Sequence, residues 1–363
     1  MKLFTCPTCG NLVYFENVAC IRCGATLGFV SDEMVMAAFT PDGEGGWRRE
    51  GGTYGRYKQC SNYAVHAACN WMLNADEPVD LCAACQLNRT IPDLSIAENL
   101  PLWRTLETEK RRLAFTLLRL GLPLTPRSQD DAGLAFDFLA DPDPSFNERG
   151  RVMTGHALGV ITLNIAEADP AVRVSMREQM GEPYRTILGH FRHESGHYYW
   201  DRLIRNSDRL PAFRRQFGDE TQNYSEALER HYQSAPPSNW TQRFVSAYAS
   251  SHPWEDWAET WAHYLHMIDT LETAYQFGLM IQPRAGDGAN LDVRHDFDPY
   301  NQPAFSVLVD HWLPLTFALN SLNRSMGHAH AYPFVLGPQV LQKLEFVHLT
   351  VREASLTNPQ GIS

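Results

Sequence analysis

Between about Ala97 and Leu120 apolar residues recur largely at threes and fours. Leu102, Leu106, Leu113, Leu117 and Leu120 share one stripe, which predicts a helix that Pro123 and Pro126 bring to an end. Two strand-like runs follow, Leu134–Leu139 and Gly159–Ile165. In the second, Ile161, Leu163 and Ile165 alternate with Val160, Thr162 and Asn164, as expected of a strand with two different faces and an exposed edge. The rest of the chain reads as mainly helical, with apolar spacing of three to four near 183–205, 223–233, 240–250, 254–277, 304–322 and 338–351, and a glycine-rich loop at 284–290. The pattern predicts an α+β protein, mostly helical with a small sheet.

Cysteine usage divides the chain more sharply than any linker. All eight cysteines precede residue 86. The change falls at Asn88–Ser95, where Pro92 supports a turn and Ser95 is a candidate helix cap. The expected organisation is a first four-cysteine region at 1–30, a second at 31–95, a connecting helix at 96–125 and a mainly helical domain at 126–363. No internal repeat beyond the CxxC pairs is present.

Composition narrows the partners. The formal net charge is −11, and residues 1–95 alone carry seven Lys and Arg against ten Asp and Glu. A protein whose affinity comes from phosphate contacts would be basic there, so peptide or protein partners are expected rather than nucleic acid. No secretory signal and no membrane-spanning stretch is visible, and CxxC pairing favours metal thiolates over disulfides. A cytoplasmic protein with no membrane partner is the expectation. The sequence does not speak to its oligomeric state.

Cys6-Pro-Thr-Cys9-Gly and Cys20-Ile-Arg-Cys23-Gly are two knuckles whose thiolates can close one tetrahedral shell, the glycines tolerating the tight turn. Cys60, Cys69, Cys82 and Cys85 are a second expected set, with only Cys82 and Cys85 in a standard knuckle. His66 is an alternative to Cys69, and sharing of knuckles between the sets is a further alternative. Both sites read as structural, holding together a region with little core of its own.

His193-Glu194-Ser-Gly-His197 falls on a helix expected from about Pro183 to Arg205. Residues four apart share a face and lie about 6 Å apart along the axis, so both imidazoles can reach one zinc. Glu194 beside them is placed to take a proton from an activated water. Asp201 and His190 are on the same helix but fail as third ligands, lying about 12 Å from His193 and about 10.5 Å from His197 respectively along a straight axis. Asp201 is left as either a hydrogen-bond partner for His197 or a surface ion pair.

The third ligand is expected from His252-Pro-Trp-Glu255-Asp-Trp-Ala-Glu259-Thr-Trp-Ala-His263-Tyr-Leu-His266. Pro253 starts a helix on which Glu255, Glu259 and His263 share a face among tryptophans. Burying a carboxylate there needs a compensating cation. Glu259 is the first choice and Glu255 the second. Tyr248, His263, Tyr264 and His266 are candidates for supporting the ligands or donating to an oxyanion.

These residues resemble the gluzincins, in which an HExxH helix is followed by a glutamate on a later helix. Ala258-Glu259-x-x-Ala262 also looks like the setting in Mlc titration factor peptidases. From CPTCG through NRTIPDLS, GHFRHESGHYYWDRL and HPWEDWAETWAHYLHM, most of the chain resembles bacterial proteins described as zinc-binding metallopeptidases with an N-terminal zinc ribbon. The resemblance implies peptide hydrolysis with one catalytic and two structural zinc ions. One departure stands out: thermolysin-like gluzincins have an aspartate four residues after the third ligand, and four after Glu259 this chain has His263. A non-catalytic zinc-ribbon adaptor is the competing class.

Overall fold

The computed structural model describes residues 2–52, 55–141, 155–180, 186–234, 236–284 and 291–357. They fall into two compact units whose division lies inside one helix, between Phe191 and Arg192. No helix is long and apolar enough to cross a membrane among the described residues.

The first unit begins with a two-stranded ribbon, β1 (Phe4–Thr5) and β2 (Leu12–Val13). A five-stranded closed barrel follows, built from β3 (Thr26–Val30), β4 (Val35–Pro41), β5 (Trp47–Arg49), β6 (Arg56–Gln59) and, after the one-turn helix α1 (Ser61–Ala64), β7 (Trp71–Asn74). Neighbours are antiparallel except the closing pair β3–β7, which is parallel. The sequence reading saw only metal knuckles here. Four consecutive residues of β4 are buried, so the alternation that advertises a two-faced strand is missing.

Next come β8 (Asn88–Thr90), α2 (Asn99–Arg119), β9 (Ala135–Leu139), β10 (Gly155–Ala157) and β11 (Val160–Asn164), the strands forming one sheet in the order β10-β11-β9-β8. The predicted helix and both predicted strands are present. The edge reading of the second strand is corrected: β11 pairs with β9 on one side and β10 on the other, so its backbone is already engaged. The helix is also more than a connector. Phe115 of α2 joins Phe4, Phe15 and Phe29 with ring centroids 5.1–6.4 Å apart, so α2 completes the core between the cysteine sets. On α2 the fully buried Lys110 and Glu107 pair at 2.8 Å, and Asn88 bonds both. After β11 come α3 (Pro170–Met180) and the start of α4 (Ile187–Leu203), whose Phe191 packs on Phe136 and Phe138 of β9.

The second unit holds the rest of α4, then α5 (Leu210–Phe217), α6 (Tyr224–Gln233), α7 (Trp240–Arg243), α8 (Pro253–Gln276), a hairpin of β12 (Met280–Ile281) and β13 (Val293–Arg294), α9 (Phe305–Ser325) and α10 (Pro338–Thr357). The expected start of the catalytic helix at Pro183 and most of the expected 284–290 loop lie outside the described residues. The single helix expected over 240–250 is instead α7 and a separate turn at Tyr248–Ser250. Phe244, at the C-cap of α7, is extended (ψ 148°), which separates them.

α8 is the centre of this unit. Pro253 supplies N1, and the His252 ring caps the helix by accepting from Trp254 N at 3.1 Å. Trp257 and Trp261 are fully buried, yet their indole N–H groups are satisfied by α4: Trp257 donates to Gly196 O at 2.8 Å and Trp261 to Ser195 Oγ at 3.2 Å. These bonds need α4 and α8 to touch, and Gly196 permits it. A methyl group there would lie 2.9 Å from Ala258 Cα. Taken together the elements are α+β: the barrel and the four-stranded sheet lie in the first unit, and the second is mainly helical.

Candidate metal and catalytic centre

Helical spacing on α4 puts the His193 and His197 rings 4.9 Å apart and nearly perpendicular. Across the α4–α8 contact, Glu255 brings one oxygen to both. Its Oε2 lies 3.1 Å from His193 Nε2 and 3.5 Å from His197 Nε2, and the three atoms are within 4.8 Å of one another. Ligands about 2.0–2.1 Å from a tetrahedral zinc are about 3.4 Å apart. The set is therefore spaced as a zinc shell requires.

The order of the two candidate carboxylates is reversed from the sequence reading. Glu259 does not join the triad; its Oε1 accepts from His193 Nδ1 at 2.7 Å, on the far side of the ring. Its Oε2 accepts from Ser246 Oγ at 2.6 Å. With the proton on Nδ1, the Nε2 lone pair of His193 faces the buried Glu255 Oε2. A carboxylate oxygen set against two imidazole nitrogens at these distances suits a shared cation, and two imidazoles with one carboxylate are a donor set that fits zinc.

Electrostatics agree. Burial works against charge on Glu255, but the facing His197 and His193 hold its carboxyl well below the ordinary range. Burial also opposes protonation of His193, yet Glu255 and Glu259 raise its pKa well above normal. The pocket thus has a strong preference for positive charge at its middle. Glu194, next to His193 on α4, is buried, 6 % exposed. The Trp254 and His197 rings lie 3.9 Å apart, tilted by 39°, and Tyr248 approaches His193 with ring centroids 6.0 Å apart.

Two further residues were missed by sequence reasoning. Tyr224 donates from its hydroxyl to Glu255 Oε1 at 2.7 Å, and Ser246 anchors Glu259. Neither sits in a recognisable motif, and both come from segments outside α4 and α8. Several expected supporting residues are engaged elsewhere. Asp201 pairs with Arg205 at 3.2 Å, one of its two expected roles. His263 shares a hydrogen bond with Tyr332, His266 with Arg192, and Tyr264 with His348. Burial pushes His263 down to about 4 and His266 well below its ordinary value, so both are neutral core residues. Of the four candidate donors, Tyr248 alone faces the site. His190 bonds Glu167 at 2.8 Å.

Both cysteine sets close on themselves. In the first, Cys6–Cys23 and Cys9–Cys20 sulfur separations are 3.7 and 3.6 Å. In the second, Cys69–Cys82 is 3.7 Å. Tetrahedral thiolates about 2.3 Å from zinc are about 3.8 Å apart, so these spacings fit. Gly10 and Gly24 take positive φ (72° and 73°), and their N–H groups donate to Cys6 O and Cys20 O, as the knuckle turn demands. Backbone N–H groups of Trp71 and Cys82 donate to the sulfurs of Cys69 and Cys60, each at 3.4 Å. His66 stays outside, its ring edge-on to Trp103.

Residues 3–96 match a zinc-ribbon domain. Over 357 residues the chain is 43% identical to uncharacterized proteins of Mycobacterium bovis and of Mycobacterium tuberculosis, covering 98% of this chain and 96% of each relative. No solved structure matches it. Residues 99–350, which contain α4, α8 and the His193–His197–Glu255 triad, match the family described as "putative zinc-binding metallo-peptidase", and the chain belongs to that family.

Proposed function

We propose that the protein is a zinc-dependent peptidase in which His193, His197 and Glu255 hold the catalytic metal and Glu194 is the general base. The convergence of Glu255 Oε2 on both Nε2 atoms carries this reading. Bound zinc supplies Lewis acidity, polarising a carbonyl and making water a nucleophile near neutral pH. Glu194 accepts the proton of the attacking water and returns it to the departing amine. Glu259 fixes the His193 ring through Nδ1 and keeps Nε2 free to bind. Tyr248, whose phenol proton burial holds well above its usual pKa, is the donor we assign to the developing oxyanion.

With Glu255 as ligand, the residue four positions later is Glu259, a carboxylate where the gluzincin pattern has aspartate, so the departure noted in the sequence narrows to one methylene. The two four-cysteine sets bind structural zinc, making three ions per chain. Peptides or proteins are the substrates, and thiolate sites of this kind suit the reducing cytoplasm.

Metal analysis with two variants tests this reading. The parent chain carries three zinc ions, and His193→Ala carries two. Glu194→Gln retains three and loses peptide hydrolysis by about 10²–10⁴-fold. Full activity in Glu194→Gln refutes the mechanism, and an inert parent chain that still holds three ions favours the adaptor.

A further inference from the structure

Tyr224 lies in the first turn of α6, which is capped by Asn223 accepting from Glu226 N at 3.2 Å. Ala227 is the buried residue of this helix, so the core holds α6 weakly. The Tyr224 ring is nevertheless well placed. It packs edge-on to His252 at 5.3 Å and to Trp254 at 5.8 Å, the same indole that lies 3.9 Å from the His197 ring. From there its hydroxyl donates to Glu255 Oε1 at 2.7 Å.

The consequence concerns which carboxylate oxygen is available. Oε1 is taken by the phenol, while Oε2 faces His193 and His197. A free carboxylate can bind a metal through one oxygen or through both. A catalytic zinc keeps its fourth position for water or substrate, and a second carboxylate oxygen would compete for that position.

We propose that Tyr224 is a positioning residue that restricts Glu255 to binding through Oε2 and so keeps a coordination position available for substrate. The inference rests on the assignment of His193, His197 and Glu255 as metal ligands. A purely structural account, in which the phenol only satisfies a buried acceptor, predicts no change in coordination when it is removed.

Tyr224→Phe keeps the ring contacts and deletes the hydrogen bond. Cobalt(II) reports coordination number directly, read as the visible difference spectrum against His193→Ala treated identically, which cancels the cysteine sites. The variant is expected to bind cobalt(II) within about tenfold of the parent affinity, a smaller loss than removing a direct ligand. Its visible band should be weaker and shifted, as for an added ligand. If peptide cleavage is measurable, kcat falls while KM holds. A spectrum superimposable on the parent's overturns the proposal, as does loss of cobalt(II) binding. A parent chain without metal at the histidine site overturns the ligand assignment as well. A parent that binds cobalt(II) but cleaves nothing overturns only the peptidase reading, and the spectrum still decides the role of Tyr224.

Discussion

Gly196→Ala is the sharpest perturbation of the centre, because it touches no ligand. In an isolated helix this change stabilises by about 1 kcal/mol. Here the new Cβ would lie 2.9 Å from Ala258 Cα, 3.1 Å from Trp261 Cβ and 3.2 Å from Trp261 Cδ1. Carbon atoms pack at about 3.5–4.0 Å, so α4 and α8 must separate by about 0.6–1 Å. The nearest atom is backbone, so no rotamer change relieves it. Overpacking of this kind costs about 1–3 kcal/mol, which offsets the helical gain and leaves a net loss of about 1 kcal/mol. The Trp257–Gly196 and Trp261–Ser195 hydrogen bonds stretch with it. His193 and His197 ride on α4 and Glu255 on α8, so the ligand spacing shifts by more than the about 0.5 Å such sites tolerate. Affinity for the histidine-site zinc should fall about 10–100-fold, as for loss of ligand support. Chelator competition reads the affinity, and thermal unfolding should show a drop of about 2–4 °C. Unchanged affinity together with a raised Tm would refute the close-contact argument.

Three further outcomes follow from the same geometry. Glu255→Gln should leave two zinc ions by metal analysis, whereas Glu259→Gln should retain the third with about 10–100-fold weaker binding; equal losses would contradict the assigned order. Lys343 of α10 pairs with the fully buried Asp256 at 2.6 Å, so Lys343→Met strands a carboxylate and should cost about 3–5 kcal/mol in urea unfolding, with Asp256→Leu added in the double variant recovering most of it. Burial and the neighbouring His311 lower the His295 pKa from 6.5 to about 4. The folded form therefore favours neutral His295, so its contribution is fully present above pH 6.5 and is lost as pH falls toward 4; stability of His295→Phe should change less across that window, and an identical slope would exclude His295 as its source.

Much of the centre was legible because its signals are local. The interval of four in His193–His197 is a property of any α-helix, and the CxxC–Gly knuckle is a property of a short turn. What misled the reading were features set by distant partners. The barrel closes through the parallel β3–β7 pair, joining segments about forty residues apart, and its buried strands show no alternation. The 240–250 stretch has helical spacing, yet the extended backbone at Phe244 divides it and brings Ser246 to Glu259 and Tyr248 toward His193.

The choice between Glu255 and Glu259 shows where the division lies. Sequence alone determined that the two carboxylates share a face of α8, that both must answer to a positive charge when buried, and that two imidazoles await them on α4. Both are one helical turn apart, about 6 Å, so no periodicity can rank them. The ranking depends on how far α8 is displaced along α4. The contact of Gly196 with Ala258 sets that displacement, and the Trp257 and Trp261 bonds to Gly196 and Ser195 secure it. Tertiary packing set Glu255 against the Nε2 atoms of both histidines and gave Glu259 the opposite side of the His193 ring.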